Sequence, residues 1–501
     1  MDKKFYVTTP IYYINGSPHL GHAYTSIIAD VMARAYQSLG SDVFFLTGTD
    51  EHGQKIAEAA ADAHMDIQTF IDQRSGEFRK MNECLGISNL HFIRTSSATH
   101  EEVVTEIITT IYNKGDIYAG KYRGLYCVAC EAYYTPDELL DGKHCKTHLT
   151  EVRELEEDTY FFKLSNFQQK LLEFYSANPD FILPKERASE ILNRVKGGLD
   201  DLCITRTTFD WGIRFPFNEK HVLYVWVDAL CNYISGLKES NTLHYNKYWP
   251  PNLHIVGKDI SWFHTVIWPA LLLSAGITPP HHILIHGWWT VEGEKMSKTR
   301  GNVIDPFEMS QKYGSDVFRF YLMYNAHISS DSNFSLLELK QQNNAILANN
   351  IGNLVSRVVT LLNQYCDGII PIVGKLELED ERIIAIIKYT KKYTEALEEY
   401  NVRNALLDVI EKFSELNKYI TREKPWDDFK NNNRESGEKT LALIAESIRF
   451  LSFCLDPFMP LKSQEMRSIL GTKNLSFQFS FKNSEGSKVL TEKKILFVKL
   501  D

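Results

Sequence analysis

Residues 5–50 read FYVTTPIYYINGSPHLGHAYTSIIADVMARAYQSLGSDVFFLTGTD, and their order of patterns decides the fold. Residues 5–8 form a β-type run, followed by a turn region containing Pro10, Asn15, Gly16 and Pro18. Ile27, Ile28, Val31, Ala35 and Leu39 then recur at helical spacing until Gly40 stops the run, and residues 43–46 are a second buried strand. Strand, helix and strand joined by glycine-bearing turns make a βαβ unit. Its right-handed crossover requires a parallel sheet with sites at the carboxyl ends of the strands.

The chain has 501 residues, long enough for about three domains at roughly 150 residues each. With 44% apolar, 12% aromatic and 24% charged residues it has a core to bury, and disordered, collagenous and coiled-coil classes are excluded. Net charge is -9, which argues against an overall basic coat for nucleic acid. The acidic excess is local. Residues 1–320 carry 31 basic against 40 acidic side chains and residues 321–501 carry 24 of each, so the last third is the better partner for a polyanion. The start, MDKKFYVTTP, enters a strand without a signal-peptide core, and the apolar stretch around Trp268 and Ile277 contains Pro269 and falls short of the ~20 residues of a membrane span. A soluble, cytoplasmic chain without membrane partners is the expectation. Eight cysteines are too few for a disulfide scaffold, and three of them lie within residues 127–145, a grouping that suggests metal.

Past residue 115 the texture changes to short aromatic strands, the cysteine group and the acidic patch Glu151, Glu154, Glu156, Glu157 and Asp158. Strand-like runs return at 223–227, 253–256 and 283–285, as though one parallel sheet resumes after an interruption. From about 335 helical periodicity dominates, and 489–500 returns to a β-like pattern. The predicted class is α/β, with a Rossmann-like sheet domain in two halves, 1–115 and 222–334. An insertion, 116–221, splits it, and a helical bundle with a short β-like tail, 335–501, follows.

Two motifs carry chemistry. Pro18-His19-Leu20-Gly21-His22 places two imidazoles three residues apart on the first helical turn, where free N–H groups and the helix dipole favour an anion and Gly21 permits close approach. Gly293-Glu294-Lys295-Met296-Ser297-Lys298-Thr299-Arg300-Gly301 puts three cations on a glycine-flanked loop suited to polyphosphate. A third pattern pairs Cys127-Val-Ala-Cys130 with Cys145-Lys-Thr-His148 across fourteen residues. Three thiolates and an imidazole fill a tetrahedral Zn²⁺ shell and leave no open position, so the metal's role is structural. His144 is the rival fourth ligand.

HLGH after the first strand and KMSKT after the last resemble the paired motifs of class I aminoacyl-tRNA synthetases. Residues 8–13 (TTPIYY), 47–53 (TGTDEHG), 224–229 (YVWVDA) and 257–260 (GKDI) narrow the resemblance to the methionyl-tRNA synthetase family, over about residues 5–460. Thr299 stands where the family commonly has serine, and Leu230 where proline is frequent. The resemblance implies activation of L-methionine by ATP and transfer to the 3′ end of tRNA(Met), initiator tRNA included. His19, His22, Lys295 and Lys298 are then the catalytic groups. Gly21, Gly257, Asp259 and Ser297 join them at ATP, which arrives with Mg²⁺. Asp50 takes the substrate ammonium. Ile11, Tyr13, Trp226, Ala229, Leu230, Tyr233, Ile260, His264 and Trp268 line the side-chain pocket. A thioether offers no strong hydrogen bond, so several aromatic walls must supply discrimination through shape and sulfur–aromatic contact.

The resemblance also assigns Asn353, Arg357 and Trp426 to the CAU anticodon, through base-edge hydrogen bonds and stacking. An insertion of about 105 residues is short for the hydrolytic editing domain of the larger relatives. Nothing after residue 460 resembles an appended dimer-forming domain, which favours a monomer. Two alternatives remain, a class I synthetase of another specificity and a non-catalytic RNA-binding paralogue.

Overall fold

The computed structural model describes residues 4–87, 90–128, 132–134, 136–147, 149–296, 301–325, 327–373, 391–472, 479–491 and 494–501. The first strand, β1 (Lys4–Thr8), is central in a wholly parallel sheet. On one side it pairs with β3 (Asp42–Asp50), which in turn pairs with β2 (Tyr12–Tyr13) and β4 (Leu90–Arg94). On the other side it meets Leu253–Gly257, followed by His282–His286 and the edge strand Ile182–Leu183. The strands are buried on both faces, and alternate side chains enter two different cores. Phe5 and Val7 pack with helix α1 (Leu20–Ser38), whereas Tyr6 packs on the opposite face among Val104, Ile108, Tyr233 and Ile234.

The interruption is an antiparallel sheet in the order Ala132–Tyr134, Ile117–Cys127, Arg153–Phe162, Leu202–Cys203. Inside the stretch read as insertion, Ile182–Leu183 has already rejoined the parallel sheet. One expected strand is overturned. Of residues 223–227 only Leu223 lies in a strand, the two-residue Val222–Leu223 paired with Thr205–Arg206, and Val225–Leu230 is helical. The β-branched and aromatic run favours a strand locally, but two histidines from elsewhere hold the Asp228 side chain, and that tertiary anchor prevails.

Among the described residues after 335 helices dominate, with Leu336–Gln342, a π-helical stretch Asn343–Gly352, and the helices Asn353–Tyr365, Val402–Glu423, Pro425–Lys430, Arg434–Leu455 and Pro460–Ile469. The continuous run Leu336–Tyr365 is long and apolar enough, by length and composition alone, to cross a membrane. Here its Leu347, Ile351, Leu354, Val355 and Val358 are buried in the bundle core with Leu406, Leu441 and Ile448. The expected β-like tail is also corrected. Among the described residues 489–500 contain no strand, and an isolated bridge joins Ile369 to Lys488. The alternating apolar residues instead lie along the bundle, burying Val489, Leu496 and Phe497, while Asn344 bonds both backbone groups of Leu500.

Sheet domain and bundle share a polar latch at fully buried Arg319. Its guanidinium pairs with Asp30 of α1 at 2.6 Å and donates to the carbonyls of Leu85, Pro457 and Phe458 at 3.2, 2.7 and 3.0 Å.

Candidate active site

Helix α1 starts at the carboxyl end of the sheet, and both motif histidines build its cap. His19 is the N-cap, and its Nδ1 accepts from the Gly21 N–H at 3.1 Å, while His22 Nδ1 accepts from the His19 N–H at 3.2 Å. This is a capping box made of imidazoles. With each Nδ1 engaged as an acceptor, each ring carries its proton on Nε2 and presents a donor. The rings stack with centroids 3.8 Å apart, and His22 is braced edge-on by Tyr12 and Phe78.

The segments flanking the lysine loop come to the same place. Trp289–Val291 and Glu294–Lys295 form a hairpin, with Ser332–Phe334 as a third strand. The Leu20 N–H donates to Ile304 O at 3.1 Å, so the chain returning from the loop bonds directly to the HLGH turn. Tyr24 of α1 packs edge-on against His286 and Trp289, and Thr25 Oγ1 lies 2.8 Å from His286 Nε2. The Lys295 side chain, Ser297 and Lys298 lie outside the described residues.

Beside these elements, Asp259 sits on the turn after Leu253–Gly257. Gly257 leaves that carboxylate its present position, because a Cβ there would fall 2.5 Å from Asp259 Oδ1 and turn it aside. Trp288 Nε1 donates to the same Oδ1 at 3.1 Å.

The expected pocket residues gather on the second core. Asp50 ends β3 opposite Tyr13 in register and is buried. Trp226 stacks on Phe263 at 4.0 Å, and His264 lies edge-on to Trp226. Tyr233 OH donates to His264 Nε2 at 2.7 Å, and His264 Nδ1 donates to Ile260 O at 3.0 Å. Burial pushes the His264 pKa down to about 4, which keeps the ring neutral and suited to that pair of bonds. Trp268 and His254 pack around the Tyr233 ring, Ala229 and Leu230 are buried, and Ile11 and Ile260 pack against the same core. The wall is therefore apolar and aromatic, with neutral polar groups bonded to one another.

Three groups near the pocket escaped sequence reasoning. Phe263 adjoins His264 but belongs to no quoted motif. His52 and Asp228 lie inside quoted motifs, yet nothing in the sequence pairs them. The fully buried Asp228 carboxylate accepts from His52 Nδ1 and from His100 Nε2, each at 2.7 Å. Burial works to raise its pKa, but the two imidazoles hold it down at about 2. This anchor fastens the helix carrying Trp226 and Ala229 to the strand end carrying Asp50.

In the bundle, Asn353 is exposed on the first turn of Asn353–Tyr365, and Arg357 stands one turn further on. The Arg357 guanidinium lies 4.8 Å from the Trp426 ring centroid and donates to Thr421 Oγ1 at 3.1 Å. The two anticodon candidates from distant segments are neighbours.

At the knuckle, Cys127 and Cys145 are buried together with Leu139 and Val152 in a four-residue cluster of their own. Cys130 and His148 lie outside the described residues. The rival His144 bonds Asp141 at 3.0 Å, and its side chain is 38% exposed. Among the described residues no three metal-ligating side chains come together.

A split parallel sheet with stacked histidines capping its first helix, and the segment that follows the lysine loop hydrogen-bonded to that cap through Ile304, is the arrangement of a class I aminoacyl-tRNA synthetase. Residues 5–359 match the family "tRNA synthetases class I (M)", and residues 370–498 match the "Anticodon binding domain of methionyl tRNA ligase". The chain belongs to the methionyl-tRNA synthetase family. A methionine–tRNA ligase of Caldanaerobacter subterraneus subsp. tengcongensis is 42% identical over all of this chain and 80% of its own length. One from Rickettsia felis is 43% identical over 94% of this chain and 93% of its own. The structure of Mycobacterium tuberculosis methionyl-tRNA synthetase in complex with methionyl-adenylate superimposes with a TM-score of 0.92 at 37% identity, covering 99% of this chain and all of the other.

Proposed function

We propose that this ligase joins L-methionine to ATP at the site described and passes the methionyl group to tRNA(Met), with the following division of labour. The methionine carboxylate attacks the α-phosphorus, and pyrophosphate leaves. His19 and His22 direct their Nε2–H donors at the phosphate as charge moves onto its oxygens. Lys295 and Lys298 take the departing pyrophosphate, and Ser297 and Gly21 border the nucleotide. These roles are electrostatic and need no covalent enzyme nucleophile. Mg²⁺ bound with ATP supplies further neutralisation of phosphate charge. Asp259, set beside Gly257, accepts from the ribose hydroxyls, and Asp50 pairs with the ammonium group. The aromatic pocket excludes amino acids whose polar side chains would be left unpaired. The single observation that supports this assignment best is the Leu20 N–H bond to Ile304 O, which brings the segment following the lysine loop onto the histidine cap.

Arg357 and Trp426, with Asn353 one turn away, read the CAU anticodon of elongator and initiator tRNA. Base–aromatic stacking contributes ~1–3 kcal/mol per base, so Trp426→Ala should lower charging of tRNA(Met) by about 10- to 100-fold and leave methionine-dependent pyrophosphate exchange at the parental rate. Equal loss in both assays would remove Trp426 from anticodon reading.

Zinc suits the knuckle chemically. Two buried thiols sit in a core too small to hold a loop by itself, and by the sequence spacing Cys130 and a histidine would supply the other two ligands of a closed tetrahedral set. The His144–Asp141 bond uses Nδ1 and leaves Nε2 for a metal, so His144 stays the rival of His148 as fourth ligand. One zinc per chain by elemental analysis, lost in Cys127→Ser, is the expected result, and a metal-free, fully active chain would contradict it. A cytoplasmic monomer without membrane partners completes the proposal.

A further inference from the structure

Trp288 has no assigned role, yet it is fixed more firmly than its position warrants. Its residue is 39% exposed at the carboxyl edge of the sheet, where nucleotides bind in this architecture. Four contacts set it in place. Its backbone N–H donates to Asp331 Oδ1 at 2.9 Å, and Lys258 Nζ lies 4.1 Å from the ring centroid. That ammonium is bonded to both oxygens of Asp331 at 2.7 and 2.8 Å, so its charge is neutralised and it serves to hold the indole. The preceding Gly287 donates to Ile328 O and approaches Ser330 so closely that a Cβ would fall 2.2 Å from its carbonyl oxygen. The fourth contact is the product of the other three, the indole N–H directed at Asp259 Oδ1.

Asp259 is thereby confined on two sides. Gly257 leaves its Oδ1 just enough room, and Trp288 occupies that oxygen with a hydrogen bond. Oδ2 is the oxygen left for another donor. A carboxylate that must read a sugar hydroxyl has to be held within a fraction of an ångström, and a rotatable side chain gains that precision from a second bonded neighbour.

We propose that Trp288, braced by Lys258 and Asp331, is a positioning residue that sets Asp259 for the ribose of ATP and so enforces ribonucleotide over deoxyribonucleotide use. This rests on the assignment of Asp259 to the ribose. Trp288 acts through Asp259, and its loss should be felt by the nucleotide alone.

The test is steady-state pyrophosphate exchange with ATP, 2′-deoxy-ATP and 3′-deoxy-ATP, on the parent, Trp288→Phe, Asp331→Asn and Asp259→Ala. Trp288→Phe keeps a ring over Lys258 and removes the N–H. Loss of a hydrogen bond to a charged group should raise KM for ATP on the order of tenfold, leave KM for methionine unchanged, and reduce the preference for ATP over one deoxy analogue by a similar factor. Asp331→Asn, which keeps an acceptor for the Trp288 N–H and loses the ion pair, should show a smaller effect of the same kind. If Asp259→Ala erases the ribose preference while Trp288→Phe retains it, the positioning role is overturned and the ribose assignment stands. If Asp259→Ala itself retains the preference, the ribose assignment fails and the proposal with it. A Trp288→Phe chain with KM raised equally for ATP and methionine, or with both indole and ion-pair variants indistinguishable from the parent, also overturns the proposal.

Discussion

Replacing His22 by alanine should slow methionyl-adenylate formation by about 10²- to 10³-fold with little change in KM for methionine, because the lost donor acts on charge that develops only in the transition state. The expectation follows from how the ring is held. His22 Nδ1 is engaged by the His19 N–H, Tyr12 and Phe78 brace the ring edge-on, and the Nε2–H direction is thereby fixed before substrate arrives. Preorganisation of this kind costs no rearrangement at the moment of reaction. Alanine also removes half of the capping box, which costs ~0.5–2 kcal/mol of helix stability. His22→Asn separates the two effects, since its short amide can still accept from the cap but cannot extend an N–H to the Nε2 position. It should restore the melting temperature and leave the rate depressed. An alanine variant with a parental single-turnover rate, or an asparagine variant that recovers rate together with stability, would remove His22 from the chemistry.

Arg319→Leu should be the most destabilising single change in the buried polar groups, at about 3–5 kcal/mol. The side chain is completely buried, and its removal leaves the carbonyls of Leu85, Pro457 and Phe458 without their donor and Asp30 with Arg34 as its remaining cation. Those partners belong to the sheet domain and to the end of the bundle, so the loss should loosen the two together. Thermal unfolding followed by circular dichroism reads the effect as a lowered melting temperature. The double variant Asp30→Leu with Arg319→Leu should cost less than the sum of the two single changes, because the ion pair between the two residues is lost only once. A single variant melting with the parent would show that packing, and not this latch, holds the junction.

Much of the site was legible because its parts are short and local. HLGH must be a helix start, since the turn before it and the apolar spacing after it leave no other place for the boundary, and a capped helix end is where phosphate binds. What stayed hidden depends on distance in sequence. Asp228 is 176 residues from His52 and 128 from His100, so its charge looked like that of any acidic residue, and the run around it read as a strand. Arg319 reaches 234 residues back to Leu85. Alternation in 489–500 indicated a strand, but a strand needs a neighbour with open backbone groups. The bundle offers asparagine side chains instead, and the tail bonds to those.

In the proposed arrangement the histidine cap and the lysine loop act on a single nucleotide beside an apolar, sulfur-accepting hollow. Exchange of labelled pyrophosphate into ATP by the purified chain tests it most directly, because label returns to ATP only if amino-acid activation runs forward and back on the same site. The prediction is rapid exchange with L-methionine and none with leucine, isoleucine or valine in its place. No exchange with methionine, or a faster response to one of the branched amino acids, would contradict it.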